Sequence, residues 1–377
     1  MRMRDRPSSL KRIVLVVTRS DRAGAQKHLL SIVNGLQHRY DFHVIVGCHG
    51  YLRDRCRELE IRCSVATNLV RSLSPVKDFL GYFQLRKMIA DINPDLVHVH
   101  SAKAGFLGRM VADKLDVPVI YTVHGWAFSD GNSGIKKFAT SLIERYTSSF
   151  TSFYIFVSHY DRMLGKLRGV VGNVPNAVVF NGIASKNFDG DANRNKSSNE
   201  KVTLLTVTRL VKQKNISRLV KVVSRVKGNF TLDIVGYGPE RDKLESLVDQ
   251  LGLREKVNFL GEVENVESLL QSSDIFLLSS EWEGLPISLI EACRHSLPMV
   301  ATNVGGVSEI IDDGVNGYLI PCSSHSSFSH RIDELISSSE KRYRFGLAAK
   351  QKFEKKFTLQ DMLAKTDSVY QEILGSE

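Results

Sequence analysis

Two glutamates eight positions apart, Glu283 and Glu291, bracket a Gly-Leu-Pro turn in the stretch SEWEGLPISLIEAC, residues 280–293. The preceding SDIFLLSS reads as a buried strand, so the acidic pair stands where a strand hands over to a helix. The backbone N–H groups available in the stretch 284–287 would line the mouth of that helix, a place suited to anions and hydroxyls. At 1.5 Å per residue, positions 284 to 291 span about 10–12 Å, comparable with the reach from the sugar to the ribose of a nucleotide sugar. A plainer reading stands beside this one. Glu283 would complement the helix dipole and Glu291 would lie on a solvated face.

Other turns after strands carry further candidates. In VTRLVKQKNIS (207–217), Arg209 and Lys214 follow a strand, where two cations can hold a diphosphate or simply be solvated charges. Gly24 and Ala25 follow the first strand and let a backbone approach a ligand at a helix start. Neither this stretch nor VGYGPERD (235–242) has the GxGxxG spacing, so a nicotinamide-binding fingerprint is absent from both halves. His124 ends a strand beside a glycine in YTVHGWAF, a position open to a functional or a structural reading. In HVH (98–100), strand alternation is read as turning the imidazoles of His98 and His100 apart, which argues against a metal site there. No HExxH or Cys/His cluster occurs, nor a nucleophile elbow, nor a Walker loop. No metal is expected.

The elements that must position these residues repeat in two rounds. Valine- and isoleucine-rich runs at 12–18, 42–47, 95–100, 117–123 and 153–158 read as strands. Between them lie helix-length stretches at 25–38, 77–91, 102–115 and 135–148. A polar segment, 184–200, interrupts the pattern as a linker or surface loop. Strands then resume at 202–208, 230–236, 256–261, 274–280, 297–302 and 317–321, and the chain looks all helical from about 324. Continuous apolar strands alternating with helices argue for doubly wound parallel sheets. At 377 residues, two α/β domains of roughly 180 residues each are expected. Ligands should then sit beyond the carboxyl ends of the strands, in a cleft between the two.

Composition bounds the setting. The chain carries a formal charge of +10, concentrated in the first half: residues 1–200 hold 29 Lys/Arg against 17 Asp/Glu. Such a half attracts nucleic acid, anionic lipid or phosphorylated substrates, or merely keeps the protein soluble. Five cysteines without a CxxC pair suit a reducing compartment. The apolar run Ile13 to Val17 is shorter than the roughly 7–15 residues of a signal-peptide core. Nowhere do about 18 apolar residues follow one another. A cytosolic location is expected.

Taken in order, AGAQKHL (23–29), PDLVHVHSAKAGFLGR (94–109), YTVHG (121–125), VVFNGI (178–183), VTRLVKQKN (207–215), DIVGYGPERDKLE (233–245), VNFLGEVENVESLLQSSDIFLLSSEWEGLPISLIEAC (257–293) and VATNVGGVSEII (300–311) resemble family 4 of the retaining glycosyltransferases, which have the GT-B fold. The pair Glu283/Glu291 matches that family's E-x7-E motif. The resemblance implies two Rossmann-like domains facing a cleft: residues 1–185 for the acceptor, 186–355 for the nucleotide-sugar donor, and a helix at 356–377 packing back on the first. It implies that Arg209 and Lys214 neutralise the leaving diphosphate, and that Glu283 with the backbone of Gly284, Leu285 and Pro286 meets the donor sugar. Glu291 would accept from the ribose, Gly24 would lie on the phosphates, His124 near the transferred sugar, and the turn of Gly236 and Gly238 near the nucleoside. Pro286 lacks an N–H and offers only shape and a carbonyl. Two departures stand out: Ala23-Gly24 where the family has Gly-Gly, and Gly284-Leu285-Pro286 where it has Gly-Phe-Gly.

The same resemblance implies a retaining, metal-independent hexosyltransferase with no cofactor, using a nucleotide sugar, UDP-linked by expectation. The strings HSAKAGFLGR and YTVHGWAF are most similar to bacterial surface-polysaccharide transferases. A lipid-diphosphate-linked saccharide acceptor is therefore expected, with the protein peripheral on the anionic inner face of the cytoplasmic membrane and no nucleic-acid partner. Two alternatives remain open. A sugar-nucleotide epimerase or phosphorylase shares the fold, but epimerases lack the E-x7-E arrangement and phosphorylases have a cofactor lysine and a longer chain. A non-enzymatic basic binding protein would want clustered arginines with aromatic stacking positions, whereas the basic residues here are scattered.

Overall fold

A computed structural model describes residues 10–72, 74–129, 134–185 and 201–375. Most of the polar segment expected as a linker, residues 186–200, lies outside them. The chain divides into two compact units, residues 1–182 with 359–377, and residues 183–358.

The first unit runs β1 (Arg12–Val17), α1 (Gly24–Leu36), β2 (Asp41–Val46), α2 (Tyr51–Glu58), β3 (Arg62–Val65), α3 (Pro75–Ile92), β4 (Leu96–His100), α4 (Ala102–Lys114), β5 (Val119–Val123), α5 (Gly134–Ser148), β6 (Phe153–Phe156), α6 (His159–Leu167) and β7 (Asn176–Val178). Its strands form one parallel sheet in the order β3-β2-β1-β4-β5-β6-β7. Both faces are covered, which is why β1, β4, β5 and β6 are almost wholly buried and, His98 and His100 of β4 apart, mostly apolar. One face packs under α3, α4 and α6 through residues such as Leu85, Leu107, Val111 and Leu164. The other packs under α1 and α2 through Leu29, Ile32, Leu36 and Leu52.

The second unit contains β8 (Val202–Val207), a single 3₁₀ turn at Lys212–Lys214, α7 (Ile216–Val223), β9 (Phe230–Val235), α8 (Arg241–Gln250), β10 (Val257–Gly261), α9 (Glu267–Ser272), β11 (Ile275–Leu278), α10 (Ile287–Arg294), β12 (Met299–Thr302), α11 (Val307–Ile310), β13 (Gly317–Ile320), α12 (His325–Ser337) and α13 (Ser339–Lys356). Its six parallel strands take the order β10-β9-β8-β11-β12-β13. In each sheet the order reverses direction after the first strand of the unit, between β1 and β4 and between β8 and β11. Those two reversals are switch points, where neighbouring connections leave on opposite faces and open a crevice beyond the strand ends.

The last helix, α14 (Leu359–Leu374), belongs to the first unit. Met362, Val369 and Tyr370 enter the core shared with α1 and β2. Tyr40 donates its hydroxyl to Asp367 at 2.7 Å, and Arg39 pairs with the same carboxylate. The chain leaves the first unit and returns to it at adjoining places. Ile183 bridges to Thr358, and the Ile183 N–H donates to the Phe357 carbonyl at 3.1 Å. Among the described residues no helix is long and apolar enough to cross a membrane.

Candidate functional site

At the switch point of the second unit, the connections after β8 and β11 are tied together. The Ser279 hydroxyl donates to the carbonyls of Lys214 and Asn215, both at 3.0 Å, and the Glu281 N–H donates to the Gln213 carbonyl at 2.8 Å. Gln213 Nε2 donates to the Trp282 carbonyl at 2.8 Å. Arg218 and Asn215 both hold the Glu281 carboxylate. This lacing brings Lys214 to Glu283, Nζ to Oε1 at 2.5 Å, with side chains only 15% and 7% exposed. Ser280 donates to the same Oε1 at 2.6 Å. The cation and the carboxylate that the sequence reading assigned to the two ends of a sugar–phosphate bond therefore occupy one spot.

Arg209 differs from its partner in that reading. It is half-buried, and among the described residues its guanidinium has no hydrogen bond or ion pair. Its loop is held from below by the GYGP turn after β9. The Leu210 N–H donates to the Tyr237 carbonyl at 3.0 Å, and Glu240 donates back to the Leu210 carbonyl at 3.1 Å. Gly236 has φ +135°, and a Cβ on it would lie 1.8 Å from the Thr208 carbonyl; one on Gly238 would lie 2.2 Å from that of Leu210. Both glycines let the loop that carries Arg209 sit against the turn. An open groove of about 270 Å³ lies alongside, lined by Val211, Lys212, Asn215, Glu240, Lys243 and their neighbours.

Leu285 and Pro286 turn their side chains into the core, and Pro286 caps α10 with φ −71°. Glu291 lies half-buried one turn into that helix. The loop after β12 closes on Glu283 from the other side. The Gly306 N–H donates to the Gly284 carbonyl at 2.8 Å, while Gly305, at φ +54°, leaves no room for a Cβ, which would fall 1.8 Å from the Glu283 carbonyl. Gly305→Ala should therefore cost about 2 kcal/mol or more, from the left-handed backbone and the clash together. Denaturant unfolding of the second unit should show the loss.

The first unit gathers histidines at its own switch point. His100 ends β4, His124 follows β5, and His28 reaches in from the second turn of α1. Nδ1 of His100 lies 3.1 Å from Nε2 of His124, and the His28 ring meets that of His124 edge-on at 4.9 Å. His98 stands behind them, bonded through Nδ1 to the Tyr370 hydroxyl and through Nε2 to Thr122, both at 2.7 Å. The rings of His98 and His100 are 4.2 Å apart. The expectation that they point apart is wrong: residues two apart in a strand share a face, because only successive side chains alternate. Gly24, the first residue of α1, is exposed.

Burial with no counter-ion disfavours charged imidazoles. It pushes His28 down to about 4, against a smaller upward pull from Asn181, and His98 down to about 3. His100 and His124 are held well below the usual imidazole range by burial first and by neighbouring histidines second. All four are neutral at physiological pH. One ring nitrogen each from His28, His100 and His124 lies within 4.8 Å of the others. Neutral imidazoles at that distance could ligate a metal, although a tetrahedral zinc would have to draw them to about 3.4 Å. Sequence reasoning missed His28 and His100 as members of this group. The available signal was AGAQKH after the first strand and the shared face of HVH.

Residues 23–182 match the model of the glycosyl transferase 4-like domain, and residues 188–352 match that of the glycosyl transferases group 1. The chain is 29% identical over 353 residues to the O-antigen biosynthesis glycosyltransferase WbnH of Escherichia coli, covering 91% of this chain and 96% of that one. It is 28% identical over 309 residues to the UDP-Gal:alpha-D-GlcNAc-diphosphoundecaprenol alpha-1,3-galactosyltransferase of the same organism, covering 78% and 79%. Among solved structures, Anabaena Alr3699/HepE in complex with UDP and glucose is similar with a TM-score of 0.83 at 19% identity, over 96% of this chain and all of that one.

Proposed function

This chain belongs to the glycosyl transferases of group 1, and from that premise we propose that it moves a hexosyl unit from a UDP-sugar to a lipid-diphosphate-linked saccharide, with retention of anomeric configuration. The fold is GT-B. The observation that carries the reading is the Lys214–Glu283 pair at the switch point of the second sheet, with Arg209, which has no partner among the described residues, on the same connection after β8 as Lys214. In this reading the donor replaces part of that pair: its diphosphate takes the Lys214 ammonium and the Arg209 guanidinium, and its sugar hydroxyls take the Glu283 carboxylate. Gly284, Leu285 and Pro286 shape the turn against the sugar, Glu291 accepts from the ribose hydroxyls, and Gly236 and Gly238 border the nucleoside. Gly24 and the neutral His124 serve the phosphates and the transferred sugar from the first unit.

The bond from the anomeric carbon to the phosphate oxygen breaks with its electron pair going to the diphosphate. The acceptor hydroxyl forms the new bond on the same face, and its proton passes to the departing phosphate oxygen. Two cations stabilise the charge that develops there, so no metal or cofactor is assigned a step. The acceptor class draws support from the printed specificity of the galactosyltransferase relative and from the O-antigen assignment of WbnH. A lipid-borne acceptor puts the enzyme on the anionic inner face of the cytoplasmic membrane, with a role in surface-polysaccharide synthesis and no nucleic-acid partner.

A thermal-shift panel of UDP-galactose, UDP-glucose, UDP-N-acetylglucosamine and GDP-mannose tests the donor, because a ligand of the native state raises its melting point. One UDP-sugar should stand out. Transfer from that sugar to N-acetylglucosaminyl diphosphoundecaprenol should proceed unchanged in excess chelator and give the donor's anomeric configuration by NMR. A panel without any shift, or activity abolished by the chelator, would count against the reading.

A further inference from the structure

One helix of the first unit is built inside out. Toward the protein α5 buries Ser141, Glu144, Thr147 and Ser148. Glu144 is paired there with the wholly buried Arg109 of α4, at 2.5 Å. Thr147 and Ser141 spend their hydroxyls on carbonyls of their own helix. Toward solvent the same helix presents Ile135 (85% exposed), Phe138 (66%), Leu142, Ile143 and Tyr146 (61%). An ordinary surface helix does the reverse.

On the other side of α4, α3 is apolar on two faces. Gly81, Leu85 and Ile89 point to the core. Val76, Phe79, Leu80 and Phe83, at the i, i+3, i+4, i+7 spacing of a single stripe, point out and are between 47% and 71% exposed. The rings of Phe79 and Phe83 touch at 4.9 Å. Both helices pack on α4, so the two stripes belong to one side of the sheet. An exposed apolar face of this extent marks an interaction surface.

The charges say what covers it. The two helices carry Lys77, Arg86, Lys87, Lys136, Lys137 and Arg145. Two of their acids, Asp78 and Glu144, are bonded inward to Lys103 and Arg109 of α4. That leaves Asp91 as the exposed acid of α3 and α5. Interfaces between proteins are depleted in lysine, whereas a basic rim around Phe, Leu and Tyr suits the boundary between lipid headgroups and acyl chains. We propose that the outer stripes of α3 and α5, with their lysine rim, are the surface by which this protein seats itself on an anionic lipid bilayer. The proposal deepens the functional reading above, since it rests on the lipid-borne acceptor for its purpose. Its geometry does not depend on that reading.

Full-length protein should co-sediment with vesicles of equal parts phosphatidylglycerol and phosphatidylcholine at low salt, and much less with phosphatidylcholine alone. Phe79→Ser with Phe83→Ser, and separately Ile135→Ser with Phe138→Ser, should each lower partitioning by roughly tenfold or more. Lys77→Glu with Lys136→Glu should lower it by roughly tenfold on the anionic vesicles while leaving any binding to neutral ones unchanged. The charge-reversal pair lies at exposed positions and keeps the test decisive should a serine variant fold poorly. Wild-type protein that stays in the supernatant, or variants that sediment as it does, would overturn the proposal. So would a wild-type dimer in sedimentation velocity that the serine variants dissociate, which would give the face to a second copy. The nucleotide-sugar thermal shift, run on the same samples, separates the two ideas. Vesicle binding without any shift refutes the donor reading alone, and a shift retained in variants that no longer bind vesicles supports the docking face alone.

Discussion

Arg209→Ala is expected to lower kcat by about 10²–10³, the usual consequence of removing one preorganised group from a developing oxyanion, while leaving thermal stability unchanged. The second half of that result follows from the structure: the guanidinium has no partner among the described residues, so its removal strands nothing. Lys214→Ala is expected to slow turnover by a similar factor but to lower stability as well. Its ammonium is the cation on a Glu283 carboxylate that is only 7% exposed, and afterwards the Ser280 hydroxyl alone would serve that oxygen. Stranding a buried charge costs more than the pair was worth. The double variant Lys214→Ala with Glu283→Gln should recover stability without recovering rate. Steady-state transfer with melting curves on the same preparations checks all three. Near-unchanged turnover in both single variants would remove these residues from the leaving-group role.

The second large effect concerns acid. His28 titrates near 4 in the folded protein against an ordinary 6.5, and His98 near 3. Folded-state values below the unfolded one mean that the unfolded chain binds more protons in between, so stability rises with pH across that interval. The contribution is fully present above about pH 6.5 and is lost as pH falls toward 4. At 1.36 kcal/mol per unit, His28 alone accounts for about 3 kcal/mol, a large share of an ordinary domain's 5–15 kcal/mol. The first unit should therefore unfold cooperatively on acidification between pH 6.5 and 4. The window is set by imidazoles rather than carboxylates, since Asp41, held low by Arg62 and Arg12 despite its burial, loses its stabilising role only below its ordinary 3.8. His28→Asn should flatten the pH dependence of the melting temperature over that interval. An unchanged slope would show that the cluster takes up its protons without unfolding.

Much of this was legible in the chain. Val- and Ile-rich runs marked β1, β2, β4, β5 and β6, and the positions of Glu283, Lys214 and Arg209 after strands put them at a sheet's carboxyl edge. What escaped was whatever lacked an apolar period. The helix α2, YLRDRCRE, carries too many charges to stand out, and the edge strand β3, RCSV, is short and only half-buried, because an edge position asks for little burial. The histidine cluster escaped for another reason. Its members come from three separate elements, and the one local clue, HVH, depends on which side chains share a face. The ion pair between Lys214 and Glu283 spans 69 positions, so no local rule relates its partners.

The paired exit and return of the chain at Ile183 and Thr358 bears on how the molecule is made. Residues 183–358 are contiguous and can fold as soon as they leave the ribosome. The first unit cannot finish then. Until α14 emerges, His98 lacks the Tyr370 hydroxyl, Tyr40 lacks Asp367, and the apolar face of α1 and β2 is open to water. The half that is translated first is thus completed last, after the contiguous second unit has left the ribosome and while the basic first unit is still unsealed.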